Sequence, residues 1–162
     1  MSITTRTVEY HHNGKTFEAF IAVDSQVSGP RPVVLVGHQW AGRDDFADNH
    51  ARRLAGEGYV GVAWDVYGKG VMGTSIEENS ALMTPLMENR AELLARLNAA
   101  LEVGRAQPEA DPQRVAAIGY CFGGLCVLDL ARSGADLRGV VSFHGLLKPN
   151  GLPAQRITAK AL

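Results

Sequence analysis

The sequence is poor in cysteine, in long apolar runs and in charge of one sign, and each shortage removes a class of protein. Its two cysteines, Cys121 and Cys126, stand five positions apart. They cannot form the framework of a small disulfide-stapled domain. No apolar run reaches the roughly 18 to 20 residues that a bilayer-spanning helix needs, and the start MSITTRTVEY lacks the charged-then-apolar order of a signal peptide. The expected location is the cytoplasm, with no membrane partner. Sixteen basic residues face seventeen acidic ones with no block of like charge, so no nucleic-acid partner is expected either. What remains is a chain of 162 residues, 46% apolar and carrying 18 glycines, which fits one globular domain over residues 1–162.

Periodicity gives its class. Alternation over Thr5–Tyr10 and Lys15–Val23, with Asn13-Gly14 between them, predicts an antiparallel hairpin. The unbroken apolar run Val33–Val36 reads as a strand covered on both faces, and so do Tyr59–Trp64, Val115–Ile118 and Val140–Phe143. Between them lie helical patterns: one with Phe46, Ala47, Ala51, Leu54 and Ala55 on one side, one over Met87–Val103, and one over Leu125–Ala131. Residues 65–80, rich in glycine and small polar residues, read as a long loop or lid, and Asp111-Pro112 as a turn. Strands alternating with helices imply an α/β fold with a mainly parallel sheet and helices on both faces.

The most informative stretch is Gly119-Tyr120-Cys121-Phe122-Gly123-Gly124, between a predicted strand and a predicted helix. It has the form G-x-nucleophile-x-G, the sharp turn that pushes a reactive side chain out of a sheet edge. Gly119 and Gly123 keep Cβ atoms away from a strained backbone position. A helix N-terminus favours thiolate over thiol, and the N–H of Phe122 is placed to donate to an oxyanion. Cys126, further along the helix, reads as a small core residue, with a resolving thiol as the lesser alternative.

With these residues in hand, the chain resembles the dienelactone hydrolase family of α/β-hydrolases. The resemblance rests on Val33–Val36 leading into Gly37-His38-Gln39-Trp40-Ala41-Gly42, on Trp64-Asp65-Val66-Tyr67-Gly68-Lys69-Gly70, on the elbow, and on Val141-Ser142-Phe143-His144-Gly145. It implies an esterase or lactonase using no cofactor, in which Cys121 attacks the carbonyl of a small ester or lactone. Phe122 and Trp40 would supply the oxyanion N–H groups. Gln39 stands where well-known members carry a glutamate, and residues 70–89 hold Glu77, Glu78 and Glu88 but no lysine or arginine, so a dianionic substrate is not expected. In the family's chain order an acid and a histidine follow the nucleophile; after Cys121 the sequence offers only Asp129, Asp136 and His144. His144 is expected in the pocket wall, with a substitute-base role as a lesser reading. The resemblance therefore implies that the acid and histidine lie beyond residue 162, that the domain is C-terminally truncated, and that the 162-residue chain turns over little ester by itself.

Rival constellations are weaker. Gly68-Lys69-Gly70-Val71-Met72-Gly73 spells G-x-G-x-x-G, yet no strand ending in an acid follows at the distance a dinucleotide site requires. The five histidines have no partners at metal-ligand spacing, so no metal is expected. Met83 and Met87 read as core packing. A catalytically silent binding module, or a thiol redox protein using Cys121 and Cys126, remains the alternative in function. The sequence leaves the oligomeric state open.

Overall fold

The computed structural model describes residues 2–153 and 155–162. Strands β1 (Ile3–His12) and β2 (Lys15–Asp24) form the expected hairpin, turning at Asn13 and Gly14, both with positive φ. Then come β3 (Arg31–Gly37), α1 (Asp45–Gly56), β4 (Val60–Ala63), α2 (Ile76–Glu88), α3 (Arg90–Arg105), β5 (Ala110–Tyr120), α4 (Phe122–Arg132), β6 (Gly139–Phe143) and β7 (Lys160–Ala161). They build one sheet in the order β1-β2-β4-β3-β5-β6-β7. The hairpin joins it antiparallel, through β2 on β4, and the remaining pairs are parallel.

Each face of the sheet has its own core. Val33, Leu35, Val60, Val62, Val115 and Ala117 point to the side where α3 and α4 bring Leu93, Leu97, Leu101, Leu125 and Leu130, all buried. Fully burying one such leucine contributes roughly 1.5–3 kcal/mol. Alternation sends Phe20, Ala22, Val36 and Ala63 to the other side, against Ala47, Ala51 and Ala55 of α1. Here close approach replaces bulk: a Cβ on Gly61 would lie 2.2 Å from the Ala51 carbonyl oxygen.

Four expectations need correction. Residues 65–80 are not all loop, because α2 begins at Ile76. Ser75 Oγ accepts from the Glu78 N–H at 3.1 Å and the Glu78 carboxylate accepts from Thr74 N–H at 2.7 Å, a reciprocal cap that starts the helix. The helix expected over Met87–Val103 is two helices that meet at Asn89, whose side chain caps α3 by accepting from Glu92 N–H, and Pro85 lies inside α2. Asp111-Pro112 is not a turn outside the strand: it lies within β5 as an irregularity between the pairs Arg31–Ala110 and Val33–Val115. Phe46 also departs from the expected core stripe of α1, being 38% exposed.

For function the decisive pairing is β3 with β5, which places Gly37 opposite Gly119 at their carboxyl ends. The chain leaves β3 toward α1 and β4 on one side and leaves β5 toward α4 and β6 on the other. Such a switch point opens a crevice beyond the strand ends, where parallel α/β sheets bind ligands.

Candidate active site

Cys121 stands alone between the last residue of β5 and the first of α4. Its backbone has φ 54° and ψ −114°, a conformation L-residues rarely hold, which costs on the order of 1–3 kcal/mol. The surroundings enforce it. A Cβ on Gly119 would lie 2.0 Å from Gly123 O, and one on Gly123 would lie 2.4 Å from Gly37 O, so the elbow is packed backbone against backbone. Cys121 N–H donates to Phe143 O at 3.0 Å, and Cys121 C=O accepts from the N–H groups of Gly124 and Leu125. Its thiol is half-buried and, among the described residues, has no hydrogen-bond partner.

Two segments meet near this position, and each carries a backbone N–H without an acceptor among the described residues. Phe122 N–H opens α4 and has no acceptor within the helix, as the first turn of any helix dictates. The β3–α1 loop, packed on α4 through Gly37 and His38, carries Trp40, whose N–H is also unpaired among the described residues. The expected donors Phe122 and Trp40 therefore sit on the two segments that converge beside Cys121.

Beneath that loop lies a buried polar assembly that the sequence did not single out. His38 is 1% exposed and packs against the rings of Tyr67 and Phe122, with centroids at 5.0 and 6.4 Å. Its Nδ1 lies 2.6 Å from Gln39 O, and its Nε2 accepts from Val66 N–H at 3.3 Å. A carbonyl can only accept and an amide N–H can only donate, so the ring is neutral with its proton on Nδ1. Burial agrees, lowering the pKa of His38 from its ordinary value. Tyr67 OH donates to Trp40 O at 2.9 Å, and burial raises its pKa and keeps it protonated. The signal available in the sequence was a histidine directly after a doubly buried strand, a place where a polar ring needs partners on both nitrogens.

The other candidates fall outside this group. Gln39 is half-buried, and its side chain makes no hydrogen bond among the described residues. His144 is exposed with φ 41°; its ring lies 6.3 Å from that of Tyr120 and is not hydrogen-bonded to Cys121. Asp129 is fully buried and holds Arg90 through two hydrogen bonds of 2.7 and 2.8 Å. Cys126 is buried, and burial pushes its thiol up, as suits a core residue. In the glycine-rich loop the Asp65 carboxylate accepts from Tyr67 N–H at 2.8 Å and Gly68 N–H at 2.9 Å, taking the amides a phosphate would need. Met83 and Met87 pack against the α3–α4 core. Among the described residues no three His, Cys, Asp or Glu side chains converge as a metal site, and no helix is long and apolar enough to cross a membrane.

Known proteins share this fold. A solved structure named m3DLH superposes with a TM-score of 0.92 at 38% identity, covering 99% of this chain and 68% of that one. A dienelactone hydrolase-like promiscuous phosphotriesterase from metagenomic libraries gives a TM-score of 0.91 at 37% identity, covering 99% and 67%. The carboxymethylenebutenolidase of Pseudomonas putida is 26% identical over 142 residues, 83% of this chain and 58% of that protein. The chain spans about half the length of the curated relatives it matches. The dienelactone hydrolase family model matches residues 17–162, a span from the hairpin to β7 that contains the strained Cys121 elbow and both donor segments. By that match the chain belongs to the dienelactone hydrolase family.

Proposed function

We propose that these residues carry the nucleophilic half of an ester or lactone hydrolase. The Cys121 thiolate adds to the carbonyl carbon, and the carbonyl oxygen becomes an oxyanion that accepts from Phe122 N–H and Trp40 N–H. Collapse of the tetrahedral adduct re-forms the C=O and expels the alkoxide, leaving the acyl group on sulfur as a thioester. The observation that carries this reading is the strained backbone of Cys121 at the start of α4, beside N–H groups with no other acceptor. Among the described residues nothing is hydrogen-bonded to the thiol, so acylation of the thiolate is the step assigned here, with no proton transfer given to a named side chain. Nothing charged and basic lies on residues 70–89, which favours neutral esters and lactones over dianionic ones.

The test is mass spectrometry after exposure to an aryl ester. A single acyl adduct on Cys121, lost in Cys121→Ser, is the expected result. Acylation spread over surface lysines, with Cys121 unmodified, would overturn the reading and leave a silent binding module. A Cys121–Cys126 disulfide under mild oxidation would instead point to redox chemistry, against which the burial of Cys126 already weighs.

A further inference from the structure

We propose that His38 is the positioning residue of the oxyanion site: it fixes the peptide unit whose N–H is the Trp40 donor, and Tyr67 fixes the unit after it. The inference rests on the ester-acylation reading and adds to it the part that makes the oxyanion site rigid.

The geometry is that of one plane. Gln39 C=O and Trp40 N–H belong to a single trans peptide, so they point in opposite directions. Gln39 O is held from below by His38 Nδ1–H at 2.6 Å and by Gly42 N–H at 3.3 Å. Two donors on the carbonyl therefore turn the Trp40 N–H away from the core. Donation to the carbonyl also polarises the amide and strengthens its N–H as a donor. The next carbonyl, Trp40 O, is held by Tyr67 OH at 2.9 Å. The ring of His38 cannot swing away, because Val66 N–H occupies Nε2 and the rings of Tyr67 and Phe122 pack on it. Phe122 is itself the other donor residue. One buried imidazole thus ties the loop of one oxyanion donor to the helix of the other. Preorganisation of this kind is what makes an oxyanion site effective, since donors already aimed need no reorganisation as charge develops.

Two reagents separate this role from a merely structural one. Acylation of Cys121 by p-nitrophenyl acetate passes through an oxyanion. Alkylation by iodoacetamide is a displacement at saturated carbon and does not. Both rates are measured on the 162-residue chain at pH 9, above the ordinary cysteine pKa of about 8.5. The Gln amide places an oxygen near the Nε2 position and loses the Nδ1–H donor, whereas the Asn amide restores an N–H near Nδ1. His38→Gln is expected to slow acylation by about 10- to 100-fold and to change alkylation by no more than about twofold; His38→Asn is expected to recover acylation to within about fivefold of wild type. Tyr67→Phe should slow acylation by roughly 3- to 10-fold. Wild-type acylation in His38→Gln overturns the inference alone, as does an equal fall in both rates. A wild-type chain that is alkylated at Cys121 but never acylated overturns the ester reading and this inference with it. Should the variants fold poorly, ring nitrogen shifts of wild-type His38 decide: a proton on Nδ1 supports the assignment, and one on Nε2 overturns it.

Discussion

The residues on either side of Cys121 point to opposite faces of the sheet and meet different surroundings. Phe122 is fully buried, its ring stacked on Tyr67 at 5.8 Å, in the face built by α3 and α4. Tyr120 is half-buried on the α1 face, in a surface group of rings: Phe46 at 5.0 Å, His50 at 4.8 Å and Phe143 at 4.7 Å. On the Phe122 side the buried polar groups of His38, Tyr67 and Asp65 are hydrogen-bonded, while Trp64 Nε1 is buried without a partner among the described residues. The Tyr120 side consists of rings in mutual contact and carries the exposed His144. The difference teaches that the two sides hold the elbow differently: a buried ring and buried polar groups on the face that also holds the oxyanion loop, surface rings and the Phe143 carbonyl on the other.

Breaking the anchor should have the largest effects. Gly119→Ala puts a Cβ where Gly123 O already stands, and neither backbone can yield without moving the elbow. We expect a loss of about 4 kcal/mol or more in denaturant unfolding, or no folded protein. Phe122→Ala should cost about 3–5 kcal/mol, whereas Tyr120→Ala should cost about 1 kcal/mol or less. Equal losses measured by urea titration would erase the distinction between the two faces.

Acid should sharpen the comparison further. In the unfolded chain His38 takes a proton near its ordinary pKa of about 6.5, while in the fold burial holds it neutral to lower pH. The unfolded state then binds more protons, so this contribution is complete above about pH 6.5 and is lost as pH falls toward the folded value. Asp65 and Asp44 oppose the depression and Arg43 adds to it, but burial is the largest cause. Unfolding free energy should therefore decline more steeply between pH 6.5 and 5 in wild type than in His38→Asn; parallel slopes would show that the ring is protonated in the fold. The smallest effect is a gain: Cys121→Gly should stabilise by about 1 kcal/mol through relief of the backbone, while abolishing thiol labelling.

Much of this was legible in the sequence because it depends on short-range chemistry. Asn13-Gly14 fixed the hairpin, and continuous apolar runs marked the doubly covered strands. The spacing of Gly119, Cys121 and Gly123 marked the elbow, since close backbone packing admits no Cβ at positions 119 and 123. The start of α2 was signalled by Ser75 and Glu78, but neighbouring glycines and Pro85 obscured it. The split at Asn89 left no trace in apolar periodicity, because α2 and α3 both continue the pattern. The His38–Tyr67 assembly was not legible, since its partners are backbone atoms up to 28 residues away that only the β3–β4 pairing brings together. Phe46 left the core for a reason equally remote: the Tyr120 ring offers it a partner on the surface.

The Arg90–Asp129 pair has a consequence for how such sequences diverge. It is buried, with the two residues 5% and 0% exposed, and joins the start of α3 to α4, the helix that opens with the oxyanion donor Phe122. Losing Asp129 strands the Arg90 charge in the interior, at a cost of about 3–5 kcal/mol, and losing Arg90 leaves the buried Asp129 only the longer 3.4 Å contact to Arg132, yet replacing both by apolar residues of matching shape is often close to neutral. The tolerated states are separated by intolerable single steps. A lineage can therefore reach the apolar alternative only through a compensated double change, and until then either position constrains the other.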